Sequence, residues 1–240
     1  MVHLQLPTEL LKLIYNNVSS KAMELRSILI VIENDKLILK HVNEMNSALL
    51  KIESTALNSG LDGIELPIDV NDLKTVVNLA KDASTVTFVI DAGVTTCKIG
   101  KIKKQFAQPQ MSAPPKKEPN FATTTSVEFD DQQSSELISA LSTLVEGDLR
   151  LMSSTESLIF KVSEENKYTS VEFNAADLPV FKVTDGAVAG YDLDMSTAIF
   201  KTKQKGSTFL LEFGADMPMK VTQTTQSGTV TTILAPKIYD

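Results

Sequence analysis

Two stretches decide the reading of this chain: Thr8-Glu9-Leu10-Leu11-Lys12-Leu13-Ile14 and Ser135-Glu136-Leu137-Ile138-Ser139-Ala140-Leu141, which align at an offset of 127 residues. Each opens on a hydroxyl residue suited to capping and places an acid in the first turn, where the helix dipole favours negative charge. Each then carries apolar residues at helical spacing, reaching Val18 in the first and Val145 in the second. A second pair repeats the relation: Asp69-Val70 with Val76 and Val77 matches Asp192-Leu193 with Ile199 and Phe200 at an offset of 123. Recurring helix starts at nearly one offset predict a duplicated architecture, with the four-residue difference assigned to loops.

Between the predicted helices the pattern changes to short β-branched or alternating runs bounded by turn residues, the mark of strands. They are Ser27–Ile32, Lys36–Leu39, Ala48–Ile52, Val86–Ile90 and Val94–Ile99 in the first half. In the second they are Leu149–Met152, Leu158–Val162, Ser170–Phe173, Thr208–Phe213, Met219–Gln223 and Val230–Leu234. Two helices per half are too few for parallel βαβ units, so the predicted class is α+β: two similar domains, each with two helices packed on antiparallel sheets. The stretch Gln105–Asn120 holds Pro109, Pro114, Pro115 and Pro119, four of the nine prolines, without apolar period. It reads as an extended linker. The predicted divisions are a domain over 1–104, a linker over 105–120 and a domain over 121–240.

With 42% hydrophobic and 22% charged residues, the 240-residue chain has ordinary globular composition. Its longest apolar run, Ile28–Ile32, is far short of a membrane span, and the N-terminus lacks a signal pattern, so a soluble, intracellular protein is expected. One cysteine, Cys97, forms no internal disulfide, and with His3 and His41 as the only histidines no zinc-type spacing exists. Cys97 reads as a small buried apolar residue without chemistry, and neither metal nor cofactor is expected. The net charge of −7 opposes nucleic-acid binding unless the bases are concentrated on one surface.

The run Gly214-Ala215-Asp216-Met217-Pro218-Met219, followed by Ile233-Leu234-Ala235-Pro236-Lys237-Ile238, resembles the end of PCNA-type sliding clamps. Asn46–Ile52, Val70–Ala80 and Asn120-Phe121-Ala122-Thr123 agree with that family in order and position. The resemblance implies a non-enzymatic ring, self-associated as a homotrimer, with its helices toward a central hole that admits duplex DNA of any sequence. It further implies DNA polymerase and other clamp-binding-motif proteins as partners, a clamp loader, and roles in replication and repair. The place of work would be cytoplasm or nucleoid in an archaeal or viral source, and nucleus in a eukaryotic one.

Helix faces agree with such a bore. The first helix buries Leu10, Leu13, Ile14 and Val18 and leaves Lys12, Asn16 and Ser19 outward; the second buries Leu73, Val76, Val77 and Ala80 and leaves Lys74, Asn78 and Lys81. The fourth presents Thr197 and Lys201 and runs into Lys203 and Lys205, which completes the expected DNA-facing set. The third departs from the family by offering Ser139, Ser142 and Thr143 where bases are usual. The resemblance places a partner-peptide pocket at Val42, Leu49, Pro109, Met111, Pro218, Ile233, Ala235 and Pro236. It places the subunit interface on Val94–Lys103, through Val94, Thr96 and Lys98, and on Lys167–Phe173, through Tyr168, Val171 and Phe173.

Three other readings compete. One is a subunit of a heteromeric clamp, replicative or checkpoint-type, favoured by the bare third helix. Another is an α+β enzyme with a cleft between the domains, using Asp130 with Asp131 or Glu164 with Glu165; no nucleophile with a neighbouring histidine and no phosphate-binding loop accompanies them. The third is a scaffold of the same fold that never meets DNA.

Overall fold

The computed structural model describes residues 1–111, 115, 117–143, 147–164 and 167–238. The first half runs β1 (Val2–Pro7), α1 (Thr8–Val18), β2 (Ser27–Glu33), β3 (Lys36–Val42), β4 (Ala48–Ser54), β5 (Ile64–Asp69), α2 (Val70–Leu79), β6 (Thr85–Asp91), β7 (Val94–Ile99) and β8 (Ile102–Ala107). The second runs β9 (Thr125–Phe129), α3 (Asp131–Leu141), β10 (Asp148–Ser153), β11 (Ser157–Glu164), β12 (Lys167–Asn174), β13 (Val180–Val183), β14 (Val188–Asp192), α4 (Leu193–Lys201), β15 (Thr208–Phe213), β16 (Met219–Thr225) and β17 (Gly228–Leu234). Every expected strand is present, in antiparallel sheets, so the α+β class holds.

The expected offset of 127 for the first helix pair needs correction. α1 opens at Thr8 and α3 at Asp131, 123 residues on, and α2 and α4 open at Val70 and Leu193, again 123 apart. The sequence alignment had slipped by one helical turn, which apolar spacing at i, i+3 and i+4 conceals. In the corrected register Ile14 and Val18 answer to Leu137 and Leu141, all buried, while Val145 lies outside the described residues. Asp130, not Ser135, caps α3: its side chain accepts from the Gln133 amide at 2.8 Å while the Gln133 side chain accepts from the Asp130 amide at 3.1 Å. Glu136 therefore stands mid-helix on the exposed face, outside the first turn.

Helices form where apolar residues recur every third or fourth position, and that face is buried. α1 sets Leu10, Leu13, Ile14 and Val18 inward and α4 sets Met195, Ile199 and Phe200. α1 packs against α2 and α3 against α4, over the inner faces of the sheets. In the second half the core is an edge-to-face aromatic chain, Phe173–Phe129–Phe160–Phe200–Phe209, with centroids 5.2 to 6.3 Å apart.

Three sheets carry this layer: β1-β6-β7-β8, β12-β11-β10-β14, and a nine-stranded sheet in the order β13-β9-β15-β16-β17-β4-β3-β2-β5. The last is continuous across the halves because β17 pairs with β4, from Gly228 opposite Ser54 to Leu234 opposite Ala48. The backbones meet so closely at Gly228 that a Cβ there would lie 2.3 Å from the Glu53 carbonyl oxygen. β8 runs to Ala107, so the first three residues of the segment read as linker complete a strand.

His41, on β3, accepts a hydrogen bond at Nε2 from the Leu29 amide at 3.0 Å, and burial pushes its imidazole below the usual histidine range. Since the unfolded chain takes up the proton more readily, this contribution is complete above about pH 6.5 and shrinks as the pH falls through that value. Urea titrations at pH 7 and 5.5 should show a stability loss of at most about 1.4 kcal/mol per pH unit from this group, absent in His41→Gln.

Candidate DNA-facing surface, peptide row and free strand edges

The helix layer divides the expected lysines. Lys74, Lys81, Lys201 and Lys205 are exposed and enter no ion pair among the described residues. Lys12 meets Glu9 at 2.7 Å one turn back and is part-screened. Lys203 is a correction. Its side chain is only 9% exposed, and its ammonium bonds the Asp131 carboxylate at 2.6 Å, the Asp131 carbonyl at 2.5 Å and Ser135 Oγ at 2.8 Å. That lysine ties α4 to α3 and holds the Asp131 carboxyl below its usual range, leaving little charge for solvent. Sequence reading missed Lys21, exposed just beyond α1, whose ammonium meets Asp194 of α4 at 2.5 Å and stitches the helices of the two halves together.

The face of α3 is poor in positive charge. Ser135, Glu136 and Ser139 are exposed there and, with Asp130, Asp131 and Gln132, line an open hollow. Asp130 and Asp131, the acids of the enzyme reading, are accounted for by capping and by Lys203. Glu165 lies outside the described residues. Among the described residues no group of three His, Cys, Asp or Glu could hold a metal ion. Cys97 is buried, which pushes its thiol up to about 11. Among the described residues no helix is long and apolar enough to cross a membrane.

The opposite face of the nine-stranded sheet brings three expected pocket residues into one row: Val42 stands opposite Leu49, and Leu49 opposite Ile233. Directly opposed side chains on one face touch, so the row is a continuous apolar strip. Ala235 follows β17, where its amide donates to the Ser47 carbonyl at 2.8 Å, and Pro218 precedes β16, so both sit at the row's end of the ladder with Pro236. Pro109 and Met111 come after Gln108, whose side chain donates to the Asp91 carbonyl and to Thr95 Oγ1, both at 3.1 Å. This moors the start of the linker to β6 and β7; its Pro114 lies outside the described residues.

The expected interface also needs correction. Val94, Thr96 and Lys98 lie on β7, which is paired on both sides, with β6 and with β8. A strand without free backbone groups cannot take on another, so the open edge belongs to β8, where Ile102 is 45% exposed. Tyr168, Val171 and Phe173 lie on an open edge, because among the described residues β12 pairs with β11 alone. Tyr168 is 68% exposed beneath the Lys161 ammonium, Val171 is half-buried and Phe173 joins the core.

No protein-family model matches the sequence, and no curated protein matches it. Solved structures do. The chain is similar to PCNA of A. fulgidus, in a complex with the C-terminal region of FEN-1, at a TM-score of 0.85 and 15% identity over 100% of both chains. It is similar to PCNA of Thermococcus kodakaraensis at a TM-score of 0.82 and 15% identity, over 98% of this chain and 99% of that one. The Sulfolobus tokodaii PCNA2–PCNA3 complex gives 0.80 and 13% over the same shares. From end to end, then, this chain carries the fold of the PCNA clamps.

Proposed function

We propose that the chain is one subunit of a sliding clamp: a non-catalytic ring of three copies, opened by a clamp loader, that encircles duplex DNA and tethers DNA polymerase and other clamp-binding-motif proteins. Its two clamp domains are 1–107, which takes in the whole of β8, and 121–240. The observation that carries this reading is the pair of open edges. β12 holds in the second half the place β4 holds in the first, and β8 holds the place of β17. β4 and β17 pair with each other within the chain, whereas among the described residues β12 and β8 are each paired on one side alone, with β11 and with β7. Two complementary edges at opposite ends of a duplicated molecule favour head-to-tail association, which closes into a ring when the rotation allows.

The repeat also supplies a register. Cys97 with Lys104 and Val221 with Thr232 are equivalent pairs, as are Leu39 with Ile52 and Phe160 with Val171. Carrying the Val230–Ile52 pairing of β17 and β4 through these sets Ile102 of one copy opposite Val171 of the next. The same register sets Lys101 opposite Glu172 and Lys103 opposite Ser170.

Toward the bore the clamp would offer Lys74, Lys81, Lys201 and Lys205 on α2, α4 and the segments that follow them. Diffuse contacts between lysines and phosphates hold a duplex without reading it, and they weaken with salt. The test is retention on DNA after loading: circular plasmid should keep the clamp and linear plasmid should shed it. Replacing the four lysines by alanine should flatten the logarithmic salt dependence of DNA affinity by about 0.9 per lysine that meets a phosphate. Equal retention on both plasmids would reject encirclement.

The acid-bearing face of α3 favours a second reading, in which this subunit joins different ones, as the Sulfolobus tokodaii PCNA2–PCNA3 complex does. A chain that stays monomeric alone and assembles with a second clamp protein would select it.

A further inference from the structure

One rung beyond the apolar row, on the same face, stands a feature the clamp reading does not use. Lys40 on β3 is directly opposite Lys51 on β4. Like charges opposed across a ladder repel, and here the Lys40 side chain is only 13% exposed, so solvent screens little of it. The charge is met from the linker: the Glu118 carboxylate lies 3.3 Å from each ammonium. Burial pushes the Glu118 carboxyl up, but the two lysines outweigh it and hold the group below its usual range.

The next rung continues the pattern. Lys36 meets Glu53 at 2.9 Å, and Lys51 lies 3.7 Å from the same carboxylate. Lys36, Lys51, Glu53, Thr229 and Thr231 line a cleft of about 360 Å³ that shares Lys51 with the Glu118 ion pair. The outer face of the sheet therefore holds an apolar strip of half-buried Val42 with buried Leu49 and Ile233, a pair of opposed ammoniums abutting it, and open space beyond.

We propose that the Lys40–Lys51 rung is an acceptor site for an acidic side chain that flanks the apolar anchors of a partner peptide, filled in the free clamp by Glu118 of the chain's own linker. The proposal rests on the apolar row being a peptide site. A peptide lying on that row has its next side chains about one rung away, within reach of the two ammoniums. An incoming carboxylate takes the two ion pairs that Glu118 gives up, so the charge of the rung stays matched throughout. Peptides that end in neutral residues leave Glu118 in place, and the linker stays clipped over β3 and β4.

The test uses two fluorescein-labelled peptides with the same aliphatic and aromatic anchors, one flanked on both sides by glutamates and one by glutamines, measured by anisotropy at low salt. The glutamate peptide should bind the full chain less than about twofold tighter, since it takes over pairs that Glu118 gives up, and should bind Glu118→Gln, where both pairs are new, about fivefold tighter. The margin should vanish in Lys40→Met and Lys51→Met, whose folding is checked by circular dichroism. Equal binding of the two peptides by wild type and Glu118→Gln would overturn the acceptor site and leave the peptide row standing. A third probe, triglutamate without anchors, is followed by amide shifts in Glu118→Gln. Shifts at Lys40 and Lys51 with no binding of either anchored peptide would keep the acceptor site and reject the row; no shifts and no binding would overturn both.

Discussion

A chain carrying Ile102→Asp is expected to run as a monomer of 26.2 kDa in light scattering at concentrations where the wild type runs near three times that mass. Ile102 is 45% exposed on the open edge of β8, so the substitution leaves the folded subunit intact. In the register carried over from the β4–β17 junction it meets Val171, and the side chain that enters that contact is now a carboxylate. Closing the ladder would strip that charge of water beside an apolar partner, at a cost of about 3 kcal/mol or more per junction, over a hundredfold in affinity. Lys101→Glu, which brings two acids together with Glu172, should weaken the ring less, and pairing it with Glu172→Lys should restore it. Trimers of Ile102→Asp would show that the β8 edge is not the seam.

The second large effect is on stability. Phe160→Ala should lower the unfolding free energy by about 4 kcal/mol, the usual cost of emptying an aromatic site in a packed core. Phe160 has no exposed surface and meets Phe129, Phe173 and Phe200 at 6.1 to 6.3 Å, so the void cannot collapse without moving both a sheet and α4. Phe160→Leu, which keeps most of the volume, should cost under about 1.5 kcal/mol. Urea denaturation of the two variants checks both values; near-equal midpoints would mean that the site relaxes freely.

Fold class and duplication were legible because they rest on patterns that survive without register: helix starts, apolar period and turn residues. What could not be read was register itself. The one-turn slip at α3 followed from Leu137 and Leu141 serving two alignments equally well, and it carried Glu136 into a first turn it does not occupy. The edge strand β8 went unread because Lys103, Lys104 and Gln105 give it a polar, loop-like composition, and the open edge was therefore sought one strand too far in, on β7. Lys203 looked like a free cation because its partner, Asp131, is 72 residues away. Val42, Leu49 and Ile233, by contrast, share one row across the ladder. The Lys40–Lys51 pair beside them was invisible, since opposition across β3 and β4 appears only once the ladder is aligned.

The junction of β17 with β4 has a mechanical consequence. A three-copy ring would contain six links of one design, three of them inside chains and three between them. The inner links are leashed by the linker, so a strand that frays there meets its own partner again at once, whatever the protein concentration. The outer links have no leash, and a parted end stays open until something brings it back. A ring of this kind behaves like a bracelet with three welded links and three clasps. Force applied anywhere on it is released at a clasp, while the welded links hold.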